Sequence, residues 1–263
     1  MGHGTHEVLT VAVEAAREAG ALLLEEQGRV RTVERKEDRS LVSDLDRRCE
    51  EMIARRVLAA FPSHAILGEE SASRPRAPEG REWLWVIDPL DGTHNYLRGI
   101  PLYAVSIGVV HRGVFAAGVV NVPAEGRLYT AEQGSGAFMN GARIRASDRA
   151  DLGACSISFD SDIRSDFPRK ARAIGALGQA VFNLRMLGSS ARSLAMVADG
   201  TLDGAVEFGD YPWDFAAGVV LVREAGGIIT DAAGGEIPCA RSGYIAAGPG
   251  THAMLLAVVN GVL

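Results

Sequence analysis

Trp85-Val86-Ile87-Asp88-Pro89-Leu90-Asp91-Gly92-Thr93 is the stretch that decides the fold. Its first three residues continue an apolar, strand-sized run. The run ends directly in two carboxylates three residues apart. Asp-Pro and Asp-Gly are ordinary turn dipeptides, so Asp88 and Asp91 taken singly read as turn residues. Their combination at the end of a buried-looking strand opens a second reading. Like charges packed this closely repel strongly, and a cation is the simplest remedy.

Magnesium takes near-octahedral oxygen ligands, usually one or two carboxylates with waters and substrate phosphate. Two such ions roughly 4 Å apart can hold both the attacking and the leaving oxygen of an in-line displacement. On this reading Asp88 bridges the two ions. A turn through Pro89 brings Asp91 back beside it and directs the Leu90 carbonyl inward. Gly92 and Thr93 then present backbone N–H groups at the start of a short helix, a cradle for phosphate. Two further segments place carboxylates where apolar elements end: Gly68-Glu69-Glu70-Ser71 and Trp213-Asp214. As lone residues, Glu69 and Glu70 read equally as a solvated strand end, and Asp214 as a partner of a helix dipole.

Outward from this centre, Val8, Leu9, Ala12, Ala15, Ala16, Leu22 and Leu23 repeat at helical spacing, with Thr5 as a cap and Gly28 as the end. Residues 35–40 read as a loop or an exposed hairpin tip. Ser43 opens a second helix that Phe61-Pro62 ends. Strands are expected at 65–68 and 83–87, with a surface loop at 71–80 between them. Residues 105–110 and 114–120 form a hairpin, strands follow at 127–131 and 136–139, and Asn140-Gly141 turns into 143–145. Beyond about residue 155, strands at 157–159, 181–185, 204–208 and 244–247 alternate with helices at 167–176, 190–199, 213–225 and 252–259. The class is α+β: a single domain, 1–263, with lobes of about 1–150 and 151–263 sharing a cleft.

Composition narrows the function. Acidic residues outnumber basic ones 33 to 27, and no concentrated basic run appears. That balance argues against a nucleic-acid partner. No apolar run is long enough to span a bilayer, and the first residues lack the pattern of a secretory leader. Three scattered cysteines, Cys49, Cys155 and Cys239, suggest buried thiols in a reducing cytoplasm.

Gly68-Glu69-Glu70-Ser71, the segment from Trp85 through Thr93 into Asn95-Tyr96, and Trp213-Asp214 followed by Ala225-Gly226-Gly227 resemble, in order and spacing, the inositol monophosphatase family. This family sits within the lithium-sensitive, fructose-1,6-bisphosphatase-like phosphatases. The resemblance covers nearly the whole chain and implies a layered α/β/α/β/α sandwich, a homodimer, and hydrolysis dependent on two to three Mg²⁺ ions. It implies Glu69, Asp88 and the Leu90 carbonyl as ligands of one ion, and Asp88, Asp91 and Asp214 as ligands of another. Asp46 and Thr93 match the pair that orients the nucleophilic water, with Glu69 completing the catalytic set. Gly92 and Thr93 match phosphate-binding amides. Asp214, Glu207, Ser189 and Ser190 match positions that face the substrate, with Gly188 alongside. Singly, Asp46 also reads as a first-turn dipole partner, Glu207 as a solvated charge, and Ser189 or Ser190 as a helix cap. Glu70 is expected to hold a loop, His94 to be structural or to reach the substrate, and Arg35 and Lys36 to border the site or be solvated.

The implied substrate is a small phosphate monoester, with myo-inositol 1-phosphate first because Glu207 suits hydroxyl donors and repels a second phosphate. Histidinol phosphate is the competitor, and sugar phosphates such as fructose 1,6-bisphosphate come next. A non-catalytic interaction protein that keeps the fold is the rival from another class. The intact set Asp46, Glu69, Asp88, Asp91, Thr93 and Asp214 counts against it.

Overall fold

The computed structural model describes residues 4–29, 33–35, 41–71, 82–159 and 161–262. Residues 72–80 of the expected loop at 71–80 and residues 36–40 of the expected loop or hairpin tip at 35–40, Lys36 among them, lie outside them, as does the side chain of Arg35. The helical spacing of the first segment produces α1 (Thr5–Glu25), which buries Val8, Ala12, Ala15, Ala16, Ala19 and Leu23. Its cap is Gly4; Thr5 is already helical. A two-stranded ribbon, β1 (Val33–Arg35) and β2 (Leu41–Ser43), leads into α2 (Asp44–Ala60). Ser43 caps α2, its hydroxyl accepting from the N–H groups of Leu45 and Asp46.

The large sheet follows: β3 (Ala65–Gly68), β4 (Trp83–Asp91), then after the short α3 (Thr93–Leu97) the meander β5 (Ala104–His111), β6 (Val114–Val122), β7 (Arg127–Glu132), β8 (Gly136–Met139) and β9 (Ala142–Arg143). Strands lie in chain order, with β3 and β4 parallel and every other pair antiparallel. The β5–β6 hairpin turns through Arg112 and Gly113, and the β8–β9 hairpin through Asn140 and Gly141, all four at positive φ. That is the geometry whose twist matches the flanking strands.

The second lobe contains β10 (Ser156–Phe159), α4 (Phe167–Ala180), β11 (Asn183–Arg185), α5 (Ser190–Ala198), β12 (Gly204–Asp210), α6 (Pro212–Glu224), β13 (Ile228–Thr230), β14 (Ser242–Ala247) and α7 (His252–Asn260). Its sheet runs β11-β10-β12-β14-β13. β13 escapes the sequence reading because its three residues follow directly on the Gly226-Gly227 turn. Cys239 is partly exposed, unlike the buried Cys49 and Cys155, because it lies in the loop between β13 and β14.

Three apolar cores separate five layers. One joins α1 and α2 to the outer face of the large sheet through Trp85 and Ile87. The middle core joins the other face, through Leu84 and Val86, to α5, α6 and the small sheet. The third packs α4 and α7 on the far side of the small sheet. β4 is therefore buried on both faces, and each fully buried aliphatic side chain contributes roughly 1.5–3 kcal/mol. Helix α6 approaches the large sheet closely at two glycines. A Cβ on Gly108 would lie 2.8 Å from the Ala217 nitrogen, and one on Gly118 2.9 Å from the Ala217 Cα. This contact brings the start of α6 to the end of β4.

Candidate active site

The last residues of β4 stay paired with β5 but shift register between Asp88 and Asp91, and the Asp88 carboxylate accepts the Leu90 N–H at 2.9 Å. The sequence reading ends the strand at 87 and turns the chain through Pro89; pairing with β5 instead continues as far as Asp91, and the register shift takes the place of the turn. From the middle layer, α6 adds Asp214, whose carboxylate accepts the Tyr211 N–H at 2.7 Å. One oxygen from each of Asp88, Asp91 and Asp214 lies within 4.8 Å of the others. All three donors are hard oxygens, the set that suits magnesium.

Electrostatics record the crowding. Burial, then the charges of Glu69, Asp91 and Asp214, hold Asp88 well above the usual carboxylate range. Burial, then Asp210, Asp91 and Glu69, do the same to Asp214. Asp91 is pushed up to about 6 by burial. Its rise is opposed because Oδ2 accepts the Ser189 hydroxyl at 2.6 Å and the Ala191 N–H at 2.7 Å, at the start of α5. Glu69 follows β3 and donates its N–H to the Ile87 carbonyl at 3.0 Å. It is not one of the three carboxylates grouped within 4.8 Å, and it acts on Asp88 and Asp214 through its charge.

Asp46 sits fully buried in the first turn of α2. Its Oδ2 accepts the Ser43 N–H at 2.9 Å and the Ser43 hydroxyl. Its Oδ1 lies 2.9 Å from the Thr93 hydroxyl, which is also 3.0 Å from the Leu90 carbonyl. Thr93 has one hydroxyl hydrogen for these two acceptors. Burial raises the Asp46 carboxyl, against the lowering effect of its Ser43 and Thr93 bonds. Gly92, before Thr93, adopts φ 93°, and a Cβ there would lie 2.7 Å from the Leu102 carbonyl.

Beside the aspartates lies a cavity lined by Ser158, Ser189, Ser190, Ser193, Glu207 and Tyr244, among others. Glu207 is 8 % exposed, and one oxygen accepts the Phe208 N–H at 2.8 Å. Ser189 caps α5 as well as holding Asp91, since its oxygen accepts the Arg192 N–H at 3.3 Å. Both readings of Ser189 therefore have geometry behind them. His94 is exposed. Glu70 is half-buried and gives its N–H to Glu50.

Two residues that hold this arrangement are not among the site residues the sequence singles out. Glu50 clasps the segment after Glu69, and its signal was a carboxylate four residues after Asp46 and three before Ile53, on the inner face of α2. Asn95 donates to the Leu102 and Leu187 carbonyls at 2.7 and 2.8 Å, joining the loop after α3 to the loop before α5. Nothing local in the sequence signals that second contact, which spans 92 residues.

A family model described as the inositol monophosphatase family matches residues 5–262. The Neisseria meningitidis serogroup B protein named putative Nus factor SuhB is 36% identical over 256 residues, covering 96% of this chain and 97% of that protein. The Thermotoga maritima fructose-1,6-bisphosphatase/inositol-1-monophosphatase is 37% identical over 256 residues, covering 97% and 96%. The crystal structure of extragenic suppressor protein suhB from Bartonella henselae aligns with a TM-score of 0.92 at 36% identity, covering 98% of this chain and all of that one. Layered α+β architecture with an oxygen-donor cluster where β4 meets α6 defines the class, a metal-dependent phosphatase. Within that class the chain belongs to the inositol monophosphatase family.

Proposed function

We propose that the protein is a Mg²⁺-dependent phosphatase of small polyol phosphates, with myo-inositol 1-phosphate as the first candidate. The observation that carries this reading is the Thr93 hydroxyl, held on Asp46 Oδ1 two residues after Asp91, itself one of the three carboxylates whose oxygens come together. Asp88, Asp91, Asp214 and Glu69, with the Leu90 carbonyl, would hold the ions. Magnesium bound there supplies Lewis acidity and neutralises phosphate charge.

The chain's own residues do the rest. Thr93 Oγ accepts a proton from the attacking water while its own hydrogen passes to Asp46 Oδ1, the acceptor it already faces. Ser43 holds the other Asp46 oxygen, so the pair is fixed before substrate arrives. The Gly92 and Thr93 amides orient the phosphate at the start of α3. Glu207, on the wall of the adjoining cavity, accepts hydrogen bonds from substrate hydroxyls. An ammonium group would satisfy the same carboxylate, which keeps histidinol phosphate as the alternative.

The test is phosphate release with Mg²⁺ and with EDTA from inositol 1-phosphate, histidinol phosphate, fructose 1,6-bisphosphate and a simple aryl phosphate. Preference for the inositol ester, lost in EDTA, is expected. Preference for another ester overturns the substrate, and no metal-dependent release from any of them overturns the enzyme. Similarity over nearly the full chain to a protein named putative Nus factor SuhB favours a second, binding role alongside catalysis. An Asp88→Asn variant that loses turnover yet rescues a biological phenotype of the deleted protein would establish such a role.

A further inference from the structure

Glu50 is a carboxylate on the inner face of α2, only 4 % exposed. Its two oxygens are divided between consecutive amides. Oε2 accepts the Glu70 N–H and Oε1 the Ser71 N–H, each at 2.8 Å. The amide before these, that of Glu69, is bonded to the Ile87 carbonyl at 3.0 Å. Three successive N–H groups at and after Glu69 are thus fixed, one to the strand that carries Asp88 and two to the helix that carries Asp46. Gly68 closes the other side. A Cβ there would fall 2.6 Å from Glu50 Oε1, so the carboxylate lies directly against the Gly68 backbone. The Glu69 charge acts on both Asp88 and Asp214, so the aim of this one side chain matters to the whole cluster.

We propose that Glu50 is a positioning residue of the metal centre: it clasps the backbone after β3 so that Glu69 is held toward Asp88 and Asp214, and it sets metal affinity through Glu69. This rests on the reading of the aspartate cluster as a metal site. An arrangement fixed before the ion arrives spares the ion the ordering of a flexible loop, which raises affinity. A carboxylate suits the task because it offers two acceptor oxygens at the spacing of adjacent amides. A Gln in its place puts an NH₂ group against one of the N–H donors.

The experiment titrates Mn²⁺ into the full chain, read by electron paramagnetic resonance, for wild type, Glu50→Gln, Glu69→Gln, the double variant and Asp88→Asn. Glu50→Gln is expected to weaken Mn²⁺ about 10–100-fold, as removal of a partner behind a metal ligand does. It should raise the Mg²⁺ needed for half-maximal turnover by the same factor while kcat at saturating Mg²⁺ stays near wild type. On a Glu69→Gln background it should add little, because its effect runs through that side chain. Asn121→Ala, which removes a buried bond between β6 and α1, should lower the melting temperature without moving the Mn²⁺ affinity. Wild-type Mn²⁺ affinity in folded Glu50→Gln, or full additivity with Glu69→Gln, overturns the proposal. Should Glu50→Gln not fold, Glu50→Asp decides, since its shorter carboxylate keeps the charge but reaches the amides poorly. Weakened Mn²⁺ supports the clasp, and unchanged affinity overturns it. A wild type whose Mn²⁺ binding survives Asp88→Asn refutes the metal site itself, a result separate from failure of the clasp.

Discussion

Consider Asp91→Asn in protein stripped of divalent cations. Burial lifts the Asp91 carboxyl from 3.8 to about 6. A carboxyl raised in the native state keeps its proton while the unfolded chain has already lost it. Stability therefore falls as pH rises from about 4 to about 6 and stays lower above that window. Two units at 1.36 kcal/mol each make about 3 kcal/mol at pH 8. Asn keeps an oxygen to accept the Ser189 hydroxyl and the Ala191 N–H but carries no charge, and Asp88 and Asp214 lose a repelling neighbour. In EDTA at pH 8 the variant should be more stable than wild type by about 3 kcal/mol, roughly 6–12 °C in melting temperature. The gap should close toward pH 4, where the Asp91 carboxyl of the wild type is neutral too. His252, held below its ordinary range by burial, costs stability on acidification, but equally in both proteins. With Mg²⁺ the order reverses, because only wild type gains from the ion. Thermal melts followed by circular dichroism, with and without EDTA across this pH range, measure each quantity. A variant no more stable than wild type at pH 8 in EDTA, or a gap independent of pH, refutes the reasoning.

Thr93→Val keeps the branched shape but removes the hydroxyl between Asp46 and the Leu90 carbonyl; kcat should fall about 10²–10⁴-fold with Mn²⁺ affinity unchanged, as steady-state kinetics beside a metal titration would show. Gly92→Ala forces a side chain into φ 93° and against the Leu102 carbonyl; it should cost about 1–3 kcal/mol in a denaturant melt and weaken inhibition by inorganic phosphate. Glu207→Gln should raise KM for the polyol phosphate about 10–100-fold, from about 1.5–3 kcal/mol per charged hydrogen bond, and leave KM for an aryl phosphate nearly unchanged; equal effects on both would remove Glu207 from substrate recognition.

How far the site was legible follows from where its signals lie along the chain. β4 announces itself as a buried strand because an apolar run leads straight into it, but the expected turn at Asp88-Pro89-Leu90-Asp91 is a bulge within the strand, set by pairing with β5 that no local signal reveals. Ser43 and the first turn of α2 carry a local capping pattern, so Asp46 could be placed on a helix start from its neighbours alone. Glu69, Asp88 and Asp214 lie far apart in sequence, and only the resemblance to a known family joined them in advance. The register of β3 on β4 then sets Gly68 opposite Ile87, one residue short of Glu69 and of Asp88. Glu50 gives only a weak signal in the sequence because a helical glutamate is usually solvated, and only the packing of α2 against β4 turns it inward. The short β13, only three residues long and directly following paired glycines, carries too little periodicity to separate it from the turn.

The polar economy of the cavity bears on which substrate the site prefers. Ser189 commits its hydroxyl hydrogen to Asp91. Ser193 donates to the Ser189 carbonyl at 2.8 Å and meets Ser158 at 3.0 Å, so the Ser158 hydrogen can satisfy the Ser193 oxygen. With the hydroxyl hydrogens of Ser158, Ser189 and Ser193 engaged inside the protein, and with Glu207 an acceptor, this part of the wall presents mainly lone pairs. A wall of acceptors selects a ligand rich in donors and repels a second phosphate. A ring of hydroxyls meets that condition at several points of the wall at once, whereas a single ammonium meets it at one. On the proposed reading this multiplicity, rather than Glu207 alone, places inositol phosphate ahead of histidinol phosphate.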